Sequence, residues 1–100
     1  MLGTYFQGRV TPDGPMVTKH SPPDFEAVTL PFAEYQWGHG NNWPGVLAFD
    51  LVEELLGVQP NPAWVAGVDE ELIQRLPAGE PWRLEASQIL DAVKRNDIPF

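Results

Sequence analysis

The chain contains no cysteine, which removes disulfide staples, thiol nucleophiles and thiolate metal sites from consideration. Cations are scarce, with six Lys and Arg against 14 Asp and Glu. Affinity for DNA or RNA rests on neutralising phosphates, so direct nucleic-acid binding is disfavoured. Histidine occurs twice, at His20 and His39, without a spacing that gathers metal ligands. Neither Ser21 nor Ser87 sits in a Gly-x-Ser-x-Gly turn. No apolar run approaches the roughly 20 residues of a membrane span. The first residues also lack a charged segment leading into an apolar one. These absences predict a cytoplasmic protein with no metal, no cofactor and no membrane contact, and they leave the oligomeric state open.

What remains is enough for a core. The 100 residues are 43% hydrophobic and 11% aromatic, the composition of one folded domain spanning residues 1–100. Its first part, residues 1–37, reads as mainly β, and residues 44–95 as mainly α. Charge is unevenly placed. Asp13, Asp24, Glu26 and Glu34 face Arg9 and Lys19 in the first 45 residues, whereas the remainder holds ten carboxylates against Arg75, Arg83, Lys94 and Arg95. Such an acidic helical half suits a basic partner surface, or serves solubility alone.

Thr4 to Val10 is rich in β-formers, and Thr11-Pro12-Asp13-Gly14 is a turn with proline second and glycine fourth. Pro15 to His20 alternates as a return strand, which predicts a β-hairpin. Phe25 to Leu30 offers a third strand and Glu34 to Trp37 a short fourth, with Pro31 preventing one continuous strand. The first helix is placed over 44–56, with Asn42 near the cap, Pro44 in the first turn and Gly57 as the stop. Asn61-Pro62 opens a second over 62–76, in which Gly67 costs ~1 kcal/mol against alanine unless close packing needs it. Trp82-Arg83-Leu84 reads as extended. A third helix over 86–95 buries Ile89, Leu90 and Val93 and ends in Lys94 and Arg95, which complement its dipole. The fold class is therefore α+β: an N-terminal antiparallel hairpin or three-stranded sheet packed on three helices.

Trp37-Gly38-His39-Gly40-Asn41-Asn42-Trp43 leads into the first helix and concentrates backbone N–H groups, two amides, an imidazole and two indoles. The order of the hairpin, Tyr35-Gln36-Trp37-Gly38-His39-Gly40, a helix led by Pro44 with Leu47-Ala48, then Leu76-Pro77 and Trp82-Arg83-Leu84, resembles a family of small bacterial and phage proteins. That family is catalogued as a domain of unknown function, and the resemblance spans roughly Tyr5 to Val93. It implies a bacterial or mobile-element setting and a compact α+β fold, not a reaction. Two positions depart from the family pattern. Asn42-Trp43 replaces small residues before the proline, and Glu85, a poor N-cap type, stands where threonine is typical.

His39 between glycines can be a general base or anion contact, or a turn residue whose neighbours supply φ > 0. Gly38-x-Gly40 lacks the third glycine of a dinucleotide fingerprint. Trp37, Trp43, Trp64 and Trp82 read mainly as core, with Trp43 the best candidate for an exposed anchor. The leading expectation is a small, acidic, non-enzymatic protein-interaction module, in one version an anti-CRISPR-like or other anti-defence inhibitor of a basic nucleic-acid-binding host protein. Its candidate binding residues are Trp37, Gly38, His39, Gly40, Asn41, Asn42 and Trp43. Its acidic surface is Glu53, Glu54, Asp69, Glu70 and Glu71, whose carboxylates would stand in for phosphates. A small-molecule or enzymatic site with His39 as acid/base, and a purely structural subunit, are the alternatives.

Overall fold

The computed structural model describes residues 3–32, 34–38 and 45–97. It has an α+β fold in which a four-stranded antiparallel sheet packs on three helices. Strands β1 (Tyr5–Thr11) and β2 (Gly14–His20) form the predicted hairpin, in register from Tyr5 opposite His20 to Thr11 opposite Gly14. Thr11 secures the connection. Its Oγ1 accepts the Asp13 N–H at 3.2 Å and donates to the Gly14 carbonyl at 2.7 Å. Strand β3 (Val28–Thr29) borders β2, and the sheet runs β3-β2-β1-β4.

Strand β4 (Trp82–Glu85) makes four strands where the sequence predicts two or three. It pairs with β1 from Tyr5 opposite Glu85 to Gly8 opposite Trp82, so the first strand is central. The period-2 pattern explains the two faces. Phe6, Gly8, Val17, Trp82 and Leu84 are buried, while Gln7, Arg9 and Arg83 are exposed. The indole of Trp82 lies across Gly8, where a Cβ would sit 2.1 Å from its Nε1. Glycine is therefore required by space.

Helices α1 (Val46–Leu56), α2 (Pro62–Glu71) and α3 (Ala86–Arg95) cover the inner side. Leu47, Ala48, Leu51, Val52 and Leu55 of α1 meet Val68 of α2 and Ile89, Ala92 and Val93 of α3 in one core with Phe6 and Val17. Full burial of such aliphatic side chains contributes about 1.5–3 kcal/mol each before entropy is counted. Asn61 caps α2 as expected, its side chain accepting the Ala63 N–H at 2.8 Å. At the N-cap of α3, Glu85 is supported by Gln88, whose Oε1 accepts the Glu85 N–H at 2.8 Å. A poor cap type is thereby made serviceable. Gly67 earns its place by packing, because a Cβ there would meet Asn96 Cγ at 2.1 Å. Asn96 Nδ2 in turn donates to Glu71 Oε2 at 2.6 Å and to the Ala92 carbonyl at 2.7 Å.

Four boundaries differ from the sequence reading. Glu34 to Trp37 is not a strand, although Tyr35 and Trp37 are buried on either side of Gln36. The backbone beyond it bonds to a helical turn, with Gly38 N–H donating to the Ile73 carbonyl at 2.9 Å. Helix α1 starts at Val46 with Gly45 as N-cap, not near Asn42, because Gly45 adopts a left-handed φ of 84° that breaks the helix there. Helix α2 stops at Glu71 and tightens into a 3₁₀ turn at Ile73–Arg75, which carries Ile73 into the core. The third strand shrinks to two residues, since β3 pairs through Val28 and Thr29 alone.

Candidate functional site

The predicted turn enters the described structure at Trp37 and Gly38, and both are buried rather than surface residues. Trp37 is 5% exposed, its Nε1–H shared between the Pro77 and Glu80 carbonyls at 3.1 Å each, its ring in edge contact with Trp82. Gly38 has a φ of +91°, and a Cβ would approach Ala78 at 2.9 Å, so both backbone and space demand glycine. His39, Gly40, Asn41, Asn42 and Trp43 lie outside the described residues, as does Pro44.

Beyond them, Gly45 is tied to α2. Its N–H donates to Asp69 Oδ1 at 3.2 Å, and Gln74 Nε2 donates to Asp69 Oδ2 at 2.7 Å. Asp69 is 6% exposed, a correction to its placement on the acidic surface. The reason is helical phase. Asp69 follows Val65 by one helical turn and adjoins the buried Gly67 and Val68, which puts it on the inward side of α2, where the N-terminus of α1 welcomes a negative charge. Beside it, an open groove of about 460 Å³ runs between α1 and α2, lined by Gly45, Phe49, Pro60, Val65, Ala66 and Asp69 among others.

The other four acidic candidates do not act alike. Glu54 pairs with Lys19 of β2 at 3.3 Å, and Glu71 with Arg95 of α3 at 2.6 Å. Hydrogen bonds from Asn96 and then Arg95 hold the Glu71 carboxyl below its ordinary range. Glu53 and Glu70 are exposed.

One short polar contact to α1 is one the sequence reading missed. Tyr35 Oη donates to Asp50 Oδ2 at 2.5 Å, joining the chain before the turn to the helix after it. Burial first, then the hydrogen bond and charge of Asp50, push the Tyr35 phenol well above its ordinary value of 10.0. A proton held more tightly in the folded than in the unfolded chain stabilises the fold below the unfolded value, and that stability is lost as pH rises. Chemical denaturation should therefore show stability falling above about pH 10. Tyr35→Phe should flatten that limb and cost about 1–3 kcal/mol at neutral pH. An alkaline limb unchanged in the variant would contradict the assignment.

The outer face of the sheet carries a second polar cluster. His20 stacks on Tyr5 with centroids 4.7 Å apart, and the Arg83 guanidinium lies 3.7 Å from the Tyr5 ring centre. The Phe25 carbonyl can only accept, so His20 Nδ1 carries the proton of their 2.8 Å bond, and Nε2 meets Thr18 Oγ1 at 2.9 Å. Alternation of Tyr5, Gln7 and Arg9 marks this face in the sequence, but nothing local signals that Arg83 arrives beside it. A shallow hollow of about 330 Å³ adjoins the cluster, bounded by Gln7, Arg9, Thr18, His20 and Pro81 among others.

Among the described residues no three His, Asp or Glu side chains are grouped to hold a metal ion, and no helix is long and apolar enough to cross a membrane. Compared with protein-family models, with curated proteins and with solved structures, the chain finds no match.

Proposed function

We propose that the protein is a small, non-enzymatic interaction module of bacterial or mobile-element origin that binds a protein with a basic surface. One observation carries this reading. Among the described residues, three ion pairs (Lys19–Glu54, Arg83–Glu85 and Arg95–Glu71) use three of the six cations, and all 14 carboxylates lie in described positions. Among the described residues, eleven carboxylates are thus left outside ion pairs, against three cations, Arg9, Arg75 and Lys94, that also make none. A surface so one-sided steers positively charged partners and repels phosphates. The inhibitor version, in which the protein occupies the nucleic-acid site of a host protein, follows from the same charge. It draws on the exposed Glu53 and Glu70, since Glu54 is paired with Lys19 and Asp69 is inside.

The test is a partner recovered from the source cells, purified and titrated calorimetrically as salt rises. Affinity should fall at least tenfold between about 50 mM and about 300 mM salt, because exposed charges are screened over that range. The double variant Glu53→Lys/Glu70→Lys should weaken binding at low salt and flatten the dependence. Duplex DNA should compete for the partner. A salt-independent affinity would remove the reading.

A further inference from the structure

We propose that the groove between α1 and α2 receives a lysine or arginine side chain of that partner, its aliphatic stem along the apolar wall and its cationic head at Asp69. This rests on the reading of a basic partner and names the place where one of its residues enters. The walls are mostly apolar, with Phe49, Pro60, Val65 and Ala66 among them, while Asp69, Gln59 and the Gly45 backbone supply polar groups. Asp69 is more than nine-tenths buried, yet its hydrogen-bond partners among the described residues are the backbone N–H of Gly45 and the amide of Gln74, both neutral.

A carboxylate has about four acceptor positions, so two hydrogen bonds leave capacity for a further donor. Among the described residues no cationic side chain pairs with Asp69, so an incoming cation would be the first to meet it. The ligand class follows by elimination. An anion would be repelled, and a purely apolar group would strip water from the carboxylate without replacing it. An alkyl chain ending in an ammonium or guanidinium satisfies both the wall and the charge. At about 460 Å³ the groove has room for such a side chain.

The test is an NMR titration of the whole protein with n-butylammonium and n-butylguanidinium chloride, against n-pentanol, at constant ionic strength. The cations should shift the amides of Gly45, Phe49, Val65 and Ala66 and saturate in roughly the millimolar range. The alcohol should bind at least about tenfold more weakly. Asp69→Asn should weaken the cations about tenfold. Because Asp69 also holds the N–H of Gly45 at the start of α1, Ala66→Trp provides a second arm. Ala66 is exposed on α2, so the bulk fills the groove from its rim and should abolish the shifts. Shifts spread over Glu53, Glu70 and Asp91 without saturation, an equal response to the alcohol, or an unchanged response in Ala66→Trp would each overturn the proposal. The two readings fail separately. Salt-insensitive partner binding removes the anionic-surface reading without moving this titration, whereas a silent groove beside salt-sensitive binding removes the groove alone.

Discussion

Gly8→Val is expected to lower the unfolding free energy by about 3 kcal/mol or more, at the upper end of overpacking effects. Any Cβ at this position falls 2.1 Å from Trp82 Nε1 and 2.2 Å from Cε2, inside the indole itself. The ring cannot simply swing aside. Trp82 is 7% exposed, and it is held in edge contact with Trp37 at 5.7 Å between centroids. Gly8 also sits in the central strand, bonded to β2 and β4, so the backbone has little freedom to retreat. Urea denaturation gives the loss. In a Trp82→Leu background the same change should cost less by more than about 1 kcal/mol, the signature of two residues sharing one space. Strict additivity would show that the indole is not the obstacle. The geometry carries a cost even in the wild type, because Trp82 Nε1 is buried without a hydrogen-bond partner among the described residues.

Trp37→Ala should cost about 3–5 kcal/mol, the usual range for truncating a buried tryptophan. Two losses combine. A large ring leaves the core, and the Pro77 and Glu80 carbonyls lose the indole N–H that they share. Thermal melts and near-ultraviolet circular dichroism would report the damage. The result also decides the role of the residue. A folded, nearly full-stability variant with weakened partner binding would restore Trp37 to the binding surface. A strongly destabilised one confirms it as a core residue.

Most element types are legible in the sequence because each has a local cause. The hairpin follows from Thr11-Pro12-Asp13-Gly14 between alternating segments, and α2 from Asn61-Pro62. What escapes a local reading is pairing at a distance. Trp82-Arg83-Leu84 looks extended, yet nothing near it says that it joins β1, whose partner residues lie more than 70 positions earlier. The same limit explains Tyr35 and Trp37. Their alternation is that of a strand, but their surroundings are helices and a 3₁₀ turn. Asp69 was legible in principle, since it lies one helical turn after Val65 and beside Val68. Its charge and its acidic neighbours Glu70 and Glu71 argue for solvent, and packing overrides them. Of the candidate turn, Trp37 and Gly38 are placed inside, and residues 39–43 lie outside the described part.

The central position of β1 sets the order in which this molecule can come together. Its β2 neighbour is available as soon as the hairpin closes, a local event of microseconds. Its other neighbour, β4, is made only after α1 and α2 have been synthesised, and α3 follows directly. Until then Phe6 and Val17 have no Leu84 or Ile89 to pack against. Assembly therefore waits on a long loop closure, which slows folding and keeps apolar strand surface open to aggregation during synthesis.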